Sequence, residues 1–461
     1  MYIPEEECTR FVVLVDMIPE GGLLRAFTSD GDFYTKTDVP PSLSPFRVVL
    51  SAPKYVTSLQ LSTPDGSSVT TQLDHREPLG TLYIFSCDLL EADTNRSLWG
   101  VLLSDMNSAT QEAVDGRSVV LHVGDNVYAD MCWNAEVRRR EREDMVRDYT
   151  EIYRARYRST WFGTDDRAMV YATASHLMLL DDHEVINNFM DRGIGKDKTK
   201  ELDCVRYEAA MQAYTEYQEA LLYPDPNRTT DRGWVRLIGN DLIITIDRAM
   251  GKLEMNKVIS MIGPIVEHHR QNAILSEYDM YVERENGHHT TMLSILGVIV
   301  VFSTSMIPYP RGSKAARRYT RMYGRDKFTR DDELKILYRY LFSLTASGLD
   351  VLLVGGDLHF GMYATVTDET GFFSFDVVVA SPISNHPTLD RRMMSRGFRG
   401  HDFRLESGIV FVTHSTQGKR CYAKVSIREN GHRRYSIQMV YSTCRKPASY
   451  WNYYRTLLSM A

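Results

Sequence analysis

Four short apolar runs in the middle of this chain each stop at a cluster of acidic, thiol or imidazole side chains. Tyr83–Phe85 runs into Ser86-Cys87-Asp88, and Val119–Val123 into Gly124-Asp125. Leu177–Leu180 runs into Asp181-Asp182-His183, and Val351–Val354 into Gly355-Gly356-Asp357. Nearly unbroken apolar runs of this length are the mark of strands buried on both faces. Arg138–Thr160, Arg206–Leu222 and Asp331–Ala346 carry helical patterning and alternate with them. The pattern predicts an α/β fold, in which open sheets place their ligands beyond the carboxyl ends of the strands.

The flanks read differently. Phe11–Val15, Phe46–Ser51, Thr57–Ser62 and Val69–Leu73 are β-prone runs punctuated by Gly21-Gly22, Asp30-Gly31 and Pro64-Asp65-Gly66, which predicts an antiparallel β module over 1–80. Beyond residue 405 the chain is β-prone again at Ile409–Thr413, Tyr422–Ile427 and Tyr435–Tyr441, with Asn430-Gly431 as a hairpin signal. The expected division is a β module at 1–80, an α/β domain at 81–404, and strands at 405–461 that pack on or complete its core. With 461 residues, the chain buries a core without disulfide staples. Lys+Arg 54 against Asp+Glu 60 gives a net charge of −6, which argues against a general polyanion-binding surface. The longest apolar stretch, Met292–Ile307, is interrupted by Ser294, Gly297 and Ser303–Ser305. It falls short of the roughly 20 residues that span a bilayer and reads as a buried strand, so no transmembrane segment is expected. Met1–Glu7 is acidic and lacks the basic start of a secretory signal. The six cysteines form no CxxC pair, which fits a reducing compartment. A cytoplasmic or otherwise intracellular location is the expectation.

Each polar cluster has a plain structural explanation. Asp125 suits a helix N-cap, Asp181-Asp182 a solvated pair, His359 a structural hydrogen bond and Cys87 a small buried hydrophobe. Their combination at four strand ends is more demanding. Carboxylates gathered there repel one another strongly at low dielectric. Cations would neutralise them, and an oxygen-rich set with one imidazole suits hard or borderline metals. The phenol of Tyr128 suits a ferric-type ion better than zinc.

Gly124-Asp125-x-x-Tyr128-Ala129-Asp130 resembles the second motif of purple acid phosphatases and of PhoD-like alkaline phosphatases, both calcineurin-like metallophosphoesterases. Asp181-Asp182-His183-Glu184-Val185-x-Asn187-Asn188 is similar to the PhoD-like third motif, and Gly356-Asp357-Leu358-His359-Phe360 to the last one. Ser86-Cys87, Tyr157–Trp161, Ile246-Asp247-Arg248 and Ala380–Asn385 extend the resemblance in order over about residues 80–400. It implies a four-layer α/β/β/α sandwich and a phosphoester hydrolase, acting on monoesters or diesters through hydroxide activated by two metals about 4 Å apart. Asp125 would bridge them. Cys87, Tyr128 and His359 would bind an Fe3+-type ion. Asp182 and Asp357 would bind a divalent ion such as Ca2+, with Mn2+, Mg2+ and Zn2+ as alternatives. His183 would protonate the leaving group. Asn126, Asn187 and Asn188 are candidates for phosphate. Asp88 is either a further ligand or a cap.

The substrates implied are small or lipid-like phosphoesters. A nuclease of the same superfamily is an alternative, because Lys314, Arg317, Arg318, Arg321, Arg325 and Lys327 interleave with Tyr319 and Tyr323; a surface segment without a partner is the favoured reading of that stretch. A scaffold that keeps the fold without the chemistry is a second alternative. Asp247 and Arg248 read as an ion pair, and Arg138–Arg140 as a solvated helix face. One departure stands out: Val300–Pro308 carries Ser303 and Thr304 where a histidine-bearing motif is expected.

Overall fold

A computed structural model describes residues 8–16, 18–53, 55–73, 79–92, 98–111, 117–138, 141–163, 165–187, 201–222, 235–238, 241–246, 255–257, 259–260, 262–268, 271, 299–304, 331–357, 359–385, 387, 403–404, 410–427 and 435–442. Asn188, Asp247-Arg248 and the 314–327 stretch lie outside them. The amino-terminal segment forms two small antiparallel sheets. β1 (Cys8–Val15) pairs with β4 (Phe46–Pro53). The other sheet has the order β3-β2-β5-β6, from β2 (Gly22–Thr28), β3 (Phe33–Val39), β5 (Val56–Ser62) and β6 (Ser68–Gln72). Val15, Leu24, Ala26, Val39, Val56 and Leu59 bury a common core between them.

Two larger sheets follow. β7 (Leu79–Phe85), β8 (Arg117–His122), β9 (Ser175–Met178), β18 (Cys421–Ile427) and β19 (Tyr435–Tyr441) form a five-stranded sheet in the order β19-β18-β7-β8-β9. β7, β8 and β9 run parallel. The eight-stranded sheet has the order β10-β11-β12-β13-β15-β14-β17-β16. Its central parallel strands are β11 (Asp241–Ile246), β12 (Ile299–Thr304), β13 (Asp350–Gly355) and β15 (Ser374–Ala380). β10 (Val235–Ile238), β14 (Gly361–Thr367), β16 (Phe403–Arg404) and β17 (Val410–Gln417) pair antiparallel at the flanks. Leu82, Ile84, Val119 and Leu121 from one sheet share a core with Ile243, Leu352, Val354 and Val378 from the other. The sheets therefore pack face to face, and burial on both faces accounts for the unbroken apolar runs. The Met292–Ile307 stretch forms a strand over Ile299–Thr304.

The opposite face of the five-stranded sheet, through Tyr83, Phe85 and Val120, is covered by α1 (Leu98–Gln111) and by Val170 of α3 (Asp166–Thr173). α2 (Arg142–Trp161) begins after the Arg138–Arg140 run and buries Tyr149, Tyr153, Tyr157 and Trp161. These residues recur every fourth position and so form one stripe. They pack with Ala209, Ala210 and Ala213 of α4 (Glu201–Tyr214), whose small side chains admit the rings. The helix expected over Arg206–Leu222 starts earlier and is interrupted by a π-helical turn, Thr215–Glu219. A further helix, α5, spans Asp331–Ala346 as expected, and its Tyr338 meets Phe375 of β15 edge to face.

Behind the site, His122 closes β8 and donates through Nε2 to His176 Nδ1 at 2.8 Å. The direction follows from His176 Nε2, which donates to the Val170 carbonyl at 3.1 Å. Burial holds His122 well below the usual imidazole range and His176 down to about 4. A depressed imidazole pKa means that the unfolded chain takes up protons first, so stability falls as pH drops from about 6.5 towards 4. The melting temperature should decline over that window. His176→Gln should flatten the decline; a variant with the full wild-type acid sensitivity contradicts the assignment.

Candidate metal centre

The carboxyl ends of β7, β8, β9 and β13 meet at one place. The backbone there is unusual: Cys87, Asp125, Asp357 and His359 have positive φ of 60°, 53°, 64° and 53°. This left-handed region costs a side-chain-bearing residue about 1–3 kcal/mol. The strain is held by close packing of the loops. Asp88 N–H donates to the Asp125 carbonyl at 2.9 Å, Ala129 N–H to His183 O at 2.9 Å, and Ile383 N–H to Ser86 O at 2.9 Å. Ser86 Oγ accepts from Asp357 N–H at 3.2 Å, and Ser381 Oγ from His359 N–H at 3.1 Å. A Cβ at Gly356 would stand 2.3 Å from the Val123 carbonyl oxygen, so only glycine lets β13 approach β8 here.

Three groups of ligand atoms converge, each with its members within 4.8 Å of one another: Cys87, Asp125 and His359; Asp125, Asp182 and His183; Asp125, Asp181 and Asp357. Asp125 belongs to all three. One of its oxygens accepts from Cys87 Sγ and from Tyr128 Oη, both at 3.3 Å. The Tyr128 hydroxyl lies 3.1 Å from His359 Nε2 and accepts from Asn385 Nδ2 at 2.6 Å. Asp125, Asp181, Asp182 and Asp357 are all buried, none more than 4% exposed. Four carboxylates, a thiol, a phenol and imidazoles packed this closely make a donor set that fits hard and borderline cations. Cys87, Asp125, Tyr128, Asp182, Asp357 and His359 are thus brought together as expected.

His183 lies at the edge of the group. Its Nδ1 donates to Asp130 Oδ2 at 2.9 Å, and its ring packs on Tyr128 with centroids 4.1 Å apart. Burial pushes its pKa down, but the Asp130, Asp125 and Asp182 carboxylates outweigh that and hold it well above the usual imidazole value. Burial raises Cys87, with Asp125 and Asp357 adding to it, and raises Tyr128, with Cys87 and Asp125 adding. Glu184 is pushed up to about 8 by burial and by Asp125. All but the His183 shift express the cost of negative charge in one buried volume, a cost that a cation offsets.

Other expected residues are engaged elsewhere. Asp88 forms a buried ion pair with Arg167 at 3.2 Å and accepts from Ser384 Oγ at 2.8 Å. Asn126 donates from Nδ2 to the Leu179 carbonyl and to Gln218 Oε1, both at 2.7 Å. Asn187 is half-buried beside the third loop. Several partners were not legible as such. Asp181 and Asp130 stand inside the quoted motifs, where spacing alone gives them no role. Asn385 lies in the Ala380–Asn385 run. Arg156 donates from Nε to the Tyr128 carbonyl at 3.0 Å while paired with Glu91, and nothing in the sequence connects it to residue 128.

Mutual repulsion in the cluster has a measurable consequence. Cation-free Asp125→Asn should melt at or a few degrees above the cation-free wild type, with Mn2+ binding lost in calorimetric titration. A variant that melts well below the wild type contradicts the repulsion account.

The family model of PhoD-like phosphatases matches residues 84–237. No curated protein matches the chain. A solved structure titled "Structure of PhoD" shares the fold, with a probability of 1.00 and a TM-score of 0.53. The identity is 13%, and the match covers 95% of this chain and 88% of that one. The matched region contains Cys87, Asp125, Tyr128, Asp182 and His183, and over it the chain is similar to the PhoD-like phosphatases, a similarity that supports a phosphoester hydrolase.

Proposed function

We propose that the protein hydrolyses small phosphoesters, monoesters or diesters, at a dinuclear metal centre bridged by Asp125. The observation that carries this reading is the membership of Asp125 in all three convergent ligand groups. Cys87, Tyr128 and His359 form one side, with the phenol suited to Fe3+. Asp182 and Asp357 form the other, suited to Ca2+ or another divalent ion, with Asp181 as an additional oxygen donor. We read Asp88, paired with Arg167, as the anchor of the first loop. The reading places the site on a four-layer α/β/β/α sandwich at 81–404, with the β module at 1–80 in front and the strands beyond 405 completing both sheets. Among the described residues no helix is long and apolar enough to cross a membrane.

Cations bound by these residues would supply positive charge to the phosphoryl oxygens and would make a nearby water more acidic. The chain supplies the rest. Asp125, Asp182 and Asp357 fix the direction from which the phosphoryl group is approached, because the strained loops leave their carboxylates little freedom. Asp130 accepts the Nδ1 proton of His183, orients the ring and stabilises its protonated form. A protonated imidazole in that place delivers a proton to the departing alkoxide. Asn385 donates to the Tyr128 oxygen, which holds the phenol in register with Asp125 and His359.

Element-resolved metal analysis of purified protein, followed by an aryl phosphate and diester panel, tests the reading. Bound metal with turnover is expected, and turnover should vanish in Asp125→Asn; hydrolysis by that variant at the wild-type rate refutes the bridge. Iron-loaded protein should show a visible phenolate charge-transfer band that Tyr128→Phe removes. A colourless, iron-free and fully active preparation rules out that pairing. The acid role of His183 predicts a pH effect. Asp130→Asn removes a carboxylate that favours the protonated ring, so the alkaline limb of kcat should move to lower pH. An unmoved alkaline limb excludes His183 as the acid.

A further inference from the structure

Glu184 sits between the second and third loops, fully buried and outside every convergent ligand group. Its two oxygens accept from two backbone N–H groups: Oε1 from Asn126 at 2.6 Å and Oε2 from Asp181 at 3.0 Å. Asn126 directly follows Asp125, and Asp181 directly precedes Asp182. One side chain therefore ties together the backbones that carry two of the proposed ligands, which come from different strands.

A second feature converges on the same point. The π-helical turn Thr215–Glu219 interrupts the run that follows α4, and such turns concentrate at functional sites. It aims two neighbouring side chains in different directions. Tyr217 donates to Asp16 Oδ2 at 2.6 Å, in the amino-terminal segment. Gln218, fully buried, accepts from Asn126 Nδ2 at 2.7 Å, donates to Tyr157 Oη at 2.9 Å and reaches Glu184 Oε1 at 3.5 Å. Trp161 Nε1 donates to the Asn126 carbonyl at 3.3 Å. Asn126 is thus held by its N–H, its carbonyl and its amide group, and cannot shift without disturbing Glu184 and Gln218.

We propose that Glu184, braced by Gln218 from the π-helical turn, is a positioning residue that fixes the spacing of the Asp125 and Asp182 loops and so the geometry in which they hold cations. The proposal rests on the metal-centre reading. Glu184→Gln retains one acceptor but turns an amide N–H2 towards one of the two backbone donors, which opens one side of the clamp. Gln218→Met keeps the volume and removes the brace without changing charge, so it separates geometry from electrostatics.

Calorimetric titration with Mn2+ alone, together with thermal melting and circular dichroism, tests the proposal on the full chain. Both variants should keep the wild-type dichroism and bind Mn2+ about 10–100-fold more weakly, the range typical of groups that orient metal ligands. Wild-type Mn2+ affinity in folded Glu184→Gln and Gln218→Met overturns the proposal. Loss of affinity in Glu184→Gln alone overturns it too, because the brace from Gln218 then plays no part in holding the loops. If neither variant folds, the network serves folding instead and the positioning role falls. Turnover is not part of the readout: a wild-type protein that binds Mn2+ but hydrolyses no phosphoester sinks the proposed reaction and leaves this assignment standing. A wild-type protein that binds no Mn2+ overturns both.

Discussion

Repulsion among like charges is the constraint around which this molecule is arranged. Asp125, Asp181, Asp182 and Asp357 share one buried volume at the ends of strands from two sheets. Water cannot screen them there, and isolated ionised carboxylates are costly in such surroundings. The protein retains the arrangement because its loops are cross-linked by backbone and serine hydrogen bonds, and because the paired sheets bury enough apolar surface to offset the cost. The same gathering of negative charge underlies the proposed cation site and, through it, the proposed place of a phosphoryl group.

Strain and charge coincide. Among the described residues, the four non-glycine residues with left-handed backbone, Cys87, Asp125, Asp357 and His359, all belong to the converging loops. Each is pinned by a neighbour from another strand, so no loop is free to relax alone. This turns flexible connections into a rigid frame, and rigidity is what catalysis by positioned charge requires. Gly356 serves the same end by allowing two strands to come within contact of each other.

The helices act on the site from a distance. Arg156 of α2 holds the Tyr128 carbonyl, and Tyr157, one residue on, meets Gln218. Tyr217 stacks on Tyr157 with centroids 4.6 Å apart and bonds Asp16, which also receives Arg158 at 2.8 Å. The amino-terminal sheets are thereby joined, through consecutive residues of α2 and one π-helical turn, to the segment that supports Asn126. Packing of this kind transmits geometry because aromatic rings and bidentate ion pairs have few alternative arrangements.

The α/β alternation, the four strand ends and the identity of most converging side chains were legible in the sequence. Unbroken apolar runs require burial on both faces, and polar clusters directly after them fall at the carboxyl edge. The α5 boundaries were legible too, since an apolar stripe of helical period spans Asp331–Ala346. Spacing along a chain carries no information about direction, and direction decided the rest. Asp88 turns to Arg167 while its neighbour Cys87 turns to Asp125, although both follow the same strand. Asn126 faces Gln218, 92 residues away, and Asn385 reaches Tyr128 across 257. Local sequence fixed which groups exist at each strand end; only the docking of two sheets, and the left-handed turns it enforces, determined which of them meet.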